Sequence, residues 1–491
     1  MMRKTSLAAV LGAATLGIAA CGGGGNGGPS PTPTPTASPT PTPTPGTNVC
    51  DETFVTCDGD NAIIGESGQQ TVIDKNFTLT GDKNWFLSGF VLVGNGNSEI
   101  TSDAQASALK ANRVTLTIPA GTHVRGLDDG ALIVTRAGRI DARGTATNPI
   151  TFSSARDENF DGVGEWGGVV IQGWARGFGL GGTGDCTGGT RSYCNVRGEG
   201  GVGRWGGNDD ADDSGVFTYV RIAEGGLIES ADSEVNGLTL QGVGHGTEIH
   251  HIQIHNNQDD GVEWFGGTVN VTHLLLTGND DDAIDYDEGW RGNVQYALVI
   301  QQPSIQAAGN DPRGIEAGSD DDKYVPQTSG ALANLTIIGI AGNQTNEAGL
   351  RLRGASKTRL YNSAVTGFTA QCARIQDADI DGSGPGTTTA ETFAAFTNVL
   401  GSDCATVYAT GSNRHPPQEG DITFLTNIDF DANFAITNPE AQVMPMAMAP
   451  VDNGSGFAFE QTDYIGAVKP GQTPWWQGWA LPGTVAIPSA N

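Results

Sequence analysis

The side chains best suited to chemistry in this chain fall in two segments 22 residues apart. The first reads His251-Ile252-Gln253-Ile254-His255-Asn256-Asn257-Gln258-Asp259-Asp260-Gly261-Val262-Glu263-Trp264. The second runs from His273 to Tyr286 and repeats its pattern: His273 falls on His251, Asn279 on Asn257, and Asp281-Asp282 on Asp259-Asp260. Side chains alternate along a strand, so Val262 and Trp264 oppose Glu263, Ile284 and Tyr286 oppose Asp285, and Leu350 and Leu352 oppose Arg351. Stacking the units predicts an outward column of Thr239, Glu263, Asp285, Glu316 and Arg351, beside paired Asp259/Asp281 and Asp260/Asp282 on the preceding turn. Asp280, Asp287, Glu288 and Asp320-Asp321-Asp322 enlarge the acidic patch.

Carboxylates stacked ~4.8 Å apart repel by roughly 0.9 kcal/mol per pair in water and about 3.5 kcal/mol at an effective dielectric of 20. Three offsets are available. Ca²⁺ could bridge the oxygens, with Asp280, Asp281, Asp282, Asp285 and Asp287 as ligands. Raised pKa values could keep some groups protonated, as in catalytic acids. Arg313, Arg351 and Arg353 could neutralise one end. The plainer alternative is that the acids splay into solvent and the Asn-Asp steps only shape turns. As catalysts, Asp259, Asp260, Asp281, Asp282 and Glu263 are the candidates. Gln258-Asp259-Asp260-Gly261-Val262 resembles the Asp-Asp step of polygalacturonases, where two carboxyls act as acid and base. The departures are that His245 precedes the pair and that the Arg-Ile-Lys step of that family is absent. A lyase would instead pair Asp-bound Ca²⁺ with an arginine base, Arg351 or Arg353.

Other groups have simpler readings. His250 and His251 are expected on opposite faces, while His251 and His273 share a repeat position, so stacking is favoured over a transition-metal site. Trp475, Trp476 and Trp479 are expected to cap the last open coil rather than bind sugar. The glycine-rich segment Gly177–Gly207 is either a decoration on a binding face or a bulge. No nucleotide-binding loop, Gly-x-Ser-x-Gly elbow or His-Glu-x-x-His motif occurs.

The elements that position these residues are short alternating strands separated by glycine or Asn-Asp turns. Weaker copies of the repeat include Tyr219-Val220-Arg221-Ile222, Tyr296-Ala297-Leu298-Val299-Ile300 and Asn334-Leu335-Thr336-Ile337. One such unit cannot bury its apolar face alone, but a stack can. The expected fold is all-β: a right-handed parallel β-helix of roughly a dozen coils following a stalk. A unit of this length is too short for a propeller blade.

The first residues of the chain imply export. Met1-Met2-Arg3-Lys4 and the apolar stretch Leu7–Ala20 read as a signal peptide, too short to span a bilayer. Ile18-Ala19-Ala20-Cys21 looks like a bacterial lipobox, with Cys21 lipidated. A glycine run and the Pro-Thr alternation Pro29–Pro45 then form a stalk reaching roughly 50 Å. The expected layout is 1–20 signal, 21–49 anchor and linker, 50–110 N-terminal cap, 111–425 β-helix and 426–491 C-terminal cap. Six further cysteines, Cys50, Cys57, Cys186, Cys194, Cys372 and Cys404, suggest disulfides in an exported chain. The formal charge of −29 argues against nucleic acid and anionic surfaces and favours cations.

Leu116-Thr117-Ile118-Pro119-Ala120-Gly121-Thr122, Thr147-Asn148-Pro149-Ile150-Thr151-Phe152, Trp166-Gly167-Gly168-Val169-Val170-Ile171 and Glu263-Trp264-Phe265-Gly266-Gly267 resemble bacterial surface β-helix lipoproteins of the pectin-lyase-like superfamily. The resemblance extends to Asp463-Tyr464-Ile465-Gly466-Ala467 and Trp476-Gln477-Gly478-Trp479. It implies the fold and little about activity. The expected function is a lipid-anchored envelope protein, in the outer membrane and on its periplasmic or surface face. Its Ca²⁺-stabilised rod would bind a polysaccharide or a surface protein. The alternative is a polysaccharide lyase or glycoside hydrolase using the acidic stripe.

Overall fold

The structure is a computed structural model. It describes residues 48–486 except 157, 179–190, 227, 231–232, 303–311, 320–324, 341–346, 378–390 and 412, and no side chain at 228–230 or 233–234. The signal peptide, Cys21, most of the stalk, Cys186 and Asp320-Asp321-Asp322 therefore lie outside the described residues.

Each coil of the parallel β-helix presents a short strand and a longer strand bent in the middle. The short strands Val169–Gln172, Leu238–Gln241, Val262–Phe265, Ile284–Asp287, Ile315–Ala317, Leu350–Leu352 and Gln371–Gln376 pair in parallel, one above the next. Val169, Leu238, Val262, Ile284, Ile315 and Leu350 form one inward ladder. Ile171, Leu240, Trp264, Tyr286, Ala317 and Leu352 form the other. Both ladders are buried in one continuous core. Such burial stabilises by ~25 cal/mol per Å² of apolar surface, and each coil depends on its neighbours for it.

The longer strands Gly215–Ala223, Glu248–His255, Val271–Thr277, Asn293–Ile300, Ser329–Ile338, Lys357–Thr366 and Phe393–Ser402 pair likewise. They bend at residues with positive φ: Tyr219, His251, His273, Tyr296, Asn334, Asn362 and Asn398. This left-handed conformation interrupts the side-chain alternation. For that reason His250 and His251, expected on opposite faces, approach each other, with their Nδ1 atoms 2.9 Å apart. The shared repeat position does produce a stack: the His251 and His273 rings lie 4.1 Å apart and 9° from parallel.

The N-terminal boundary differs from expectation. Asn61–Ile73 already pairs in parallel with Asn84–Val93, inside the segment expected to be a cap, because these strands carry the same buried alternation. The helix Asp103–Ala111, capped by Ser102, intervenes before the next coil. The C-terminal expectation also needs correction. Trp475 and Trp479 do not sit on the last coil; they pack edge-on against His273 and His251 in the middle of the stack. The segment 426–486 is a strap along the longer strands. Its Phe434, Val468, Trp476 and Trp479 cover Leu275, Leu298 and Ile338, apolar residues on the outside of those strands. Asn334 and Asn362 each donate an amide hydrogen bond to Thr462 of the strap.

Disulfides join Cys50 to Cys57 and Cys372 to Cys404. Cys194 is buried and disulfide-bonded, and its expected partner Cys186 falls outside the described residues. No helix among the described residues is long and apolar enough to cross a membrane.

Candidate functional site

The strap leaves the short-strand sheet open, and there the expected column forms in register. Thr239 stands over Glu263, Glu263 over Asp285, Asp285 over Glu316 and Glu316 over Arg351. The flanking turns stack as well. The Asp260 carboxylate accepts the backbone N–H of Asp282 at 2.9 Å, and that of Asp282 accepts the N–H of Arg313 at 3.0 Å. These bonds give the aspartates a fixed structural role two residues before each strand.

The acids do not splay into solvent. Asp260, Asp282, Glu263 and Glu316 are buried, and Asp259, Asp281 and Asp285 are half-buried. Together with Glu199, Asn236, Arg313 and Arg351 they line a cleft of ≈ 270 Å³. One wall comes from the glycine-rich insertion. Its hairpin of Tyr193–Arg197 with Arg204–Gly207 carries the turn Glu199–Gly201. Buried Arg136 anchors this hairpin by donating to the Cys194, Gly206, Ser98 and Gly96 carbonyls. Glu199 and Asn236 were not legible as site residues in the sequence, because the insertion brings one in from outside the repeat and the other is a turn asparagine.

Charge divides the cleft. At one end, Arg313 reaches Asp282 and Glu347, each at 3.2 Å, and also Glu316. Arg351 lies 3.2 Å from Glu316, and Arg353 bonds it too. Burial alone would raise the Glu316 pKa, but Arg353, Arg313 and Arg351 hold it below the usual carboxylate value. Arg351 and Arg353 are thus ion-paired groups. At the other end the shifts go upward. Burial, then Asp259 and Glu263, pushes Asp260 well up. Burial, then Glu199 and Asp285, does the same to Glu263, whose carboxyl hydrogen-bonds that of Glu199. Two carboxyls in such contact need a proton or a cation between them. Asp285 rises through burial and then Glu316. Asp282 rises through burial against the pull of Arg313. Asp281 is pushed up to about 7 by burial and then Asp259.

Among the described residues the oxygens converge in two sets, Asp259/Asp260/Asp281 and Asp260/Glu263/Asp285, all within 4.8 Å of one another in each set. Two oxygens bound to one Ca²⁺ at about 2.4 Å lie at most about 4.8 Å apart, so the spacing and the hard donors both fit that ion. Asp280 and Asp287, expected as ligands, belong to neither set. Asp280 is buried away from the cleft wall, and the Asp287 carboxylate accepts the Glu288 N–H beside Arg353. His245 does not line the cleft.

Fold and site together define a parallel β-helix with an acidic cleft on its short-strand sheet. Residues 73–438 match the family described as a pectate-lyase like beta helix domain, and the chain belongs to that family. No curated protein matches it. Solved structures with some likeness include a GH87 α-1,3-glucanase catalytic domain in complex with tetrasaccharides, at 12% identity and TM-score 0.25. The match covers 74% of this chain but only 63% of that domain, less than two thirds of its length. The periplasmic alginate epimerase AlgG has 12% identity, TM-score 0.30, and coverage of 76% and 80%. The receptor-binding domain of the siphovirus 9NA tailspike has 10% identity, TM-score 0.25, and coverage of 80% and 76%. At this level of likeness none of them bears on activity.

Proposed function

We propose that this chain is a lipid-anchored cell-envelope protein whose β-helix uses a Ca²⁺-bearing acidic cleft to hold a carboxylated polysaccharide. The convergence of carboxylate oxygens into two cation-sized sets supports the reading. Among the described residues the cleft wall contains no aromatic ring on which a sugar could stack, so contact through a bridging cation suits it better. A bound Ca²⁺ would supply the positive charge that lets an anionic chain approach an acidic wall. Affinity electrophoresis of the full chain in gels containing a polyuronate tests this. Retardation with Ca²⁺ that disappears in chelator supports the proposal, and equal mobility in both refutes it.

A second reading is favoured by the split in protonation. Glu316 is held ionised while Asp285 and Asp282 beside it are pushed up, and such divergence marks acid and base roles in glycoside hydrolysis. Release of reducing ends or unsaturated uronates from the same polymer, lost in Asp285→Asn, would establish it. No product from any polyuronate tested would remove it.

A further inference from the structure

We infer that the cleft is a two-ion site in which Asp260 bridges a pair of divalent cations. This rests on the cation reading of the same cleft and adds the stoichiometry and the bridging residue. Asp260 is the one residue common to both oxygen sets. Asp259 and Asp281 stand on the turn side of it, Glu263 and Asp285 on the strand side. A carboxylate has two oxygens and about four acceptor positions. Asp260 uses one for the Asp282 N–H and keeps the others for ions on either side.

Charge supports the count. The two sets hold five carboxylates, so one divalent ion leaves three negative charges in a buried cleft and two ions leave one. Of the other acids of the cleft, Asp282 and Glu316 already have Arg313, while Glu199 meets Glu263 and adds to the negative charge on the strand side.

An independent observation points to a ligand on the strand side. Asn236 occupies the register position over Asp260, is 1% exposed and lines the cleft. Its Nδ2 donates to Glu263 and Thr239, but its Oδ1 is buried with no hydrogen-bond donor. The Asp285 Oδ1 is in the same condition. Two acceptors without donors, both on the strand-side wall, are what a second cation would satisfy. Hard oxygen donors, amide oxygen included, select Ca²⁺ over softer ions.

Calorimetric titration of Ca²⁺ into the chelator-stripped full chain tests the inference. Two ions per chain are expected. Asp281→Asn and Asp285→Asn should each keep one, and Asp260→Asn should weaken both at least ten-fold, with unchanged circular dichroism. A single ion in the wild type, removed alike by Asp281→Asn and Asp285→Asn, would overturn the two-ion site and leave the single-cation reading standing. No Ca²⁺ binding at all would overturn both. Mn²⁺ offers a test that needs no variant. Two ions sharing a carboxylate sit about 3.5–4 Å apart, so the loaded chain should give a spin-coupled resonance signal. An uncoupled signal at saturation would contradict the bridge.

Discussion

Removing the Arg313 guanidinium would leave Asp282, Glu316 and Glu347 without the cation they share. Arg313 is 2% exposed, and breaking a buried pair from one side costs about 3–5 kcal/mol. Arg313→Met should therefore lower unfolding stability by that order in urea titration, and an unchanged midpoint would show that the pairs contribute nothing. The opposite end of the cleft makes a pH prediction. Asp281 is pushed up to about 7, and Asp260, Glu263, Asp282 and Asp285 are also raised well above the usual carboxylate value, chiefly by burial. For an acid, that stability is complete below the unfolded pKa and is lost as pH rises through the folded one. The stacked histidines act in the other direction. Burial lowers His251 to about 3 and His273 to about 4, so their contribution is complete above about 6.5. In chelator, stability should fall as pH rises from about 6.5 through about 7, where the Asp281 contribution is lost and that of the histidines is already complete, and a flat profile would mean that the acids ionise without strain. Much of this chemistry was legible in the sequence. The order Thr239, Glu263, Asp285, Glu316, Arg351 follows from alternation and repeat alone. Glu199 did not, because its contact depends on a hairpin held from outside the repeat by Arg136.

The strap is the element that the sequence placed wrongly, because its residues have no repeat and dock through contacts far along the chain. Gln253, for example, accepts from the Leu481 N–H. The strap covers outward apolar residues that a free β-helix would expose. Trp479 is 1% exposed and packs against Tyr219 and His251. Its replacement by alanine should cost about 3–5 kcal/mol and increase binding of a hydrophobic dye. A variant with wild-type stability and no added dye binding would show that the strap is ornamental. The Cys372–Cys404 bridge closes a 32-residue separation near the C-terminal coils. Serine at both positions should lower stability by about 2–4 kcal/mol, read by denaturation under non-reducing conditions. The coils themselves were more legible: inward ladders such as Val262, Ile284, Ile315 and Leu350 are local patterns that stacking only repeats.

At the scale of the whole molecule, the proposal joins a tethered β-helix to a cation-dependent surface. The tether is tested by Cys21→Ser, which should move the protein from the detergent phase to the aqueous phase on phase separation. A chain that partitions with detergent regardless of that change would not be held by the lipid. The cleft is tested most directly by thermal melts of the full chain with Ca²⁺ and with excess chelator, for wild type and Asp260→Asn. An ion that binds only the folded state stabilises by about 2.7 kcal/mol at a hundred-fold excess over Kd. The account predicts a Ca²⁺-dependent rise in Tm of the wild type that Asp260→Asn largely abolishes, with the variant at least as stable as wild type in chelator. Equal melting of the wild type with and without Ca²⁺ would contradict it.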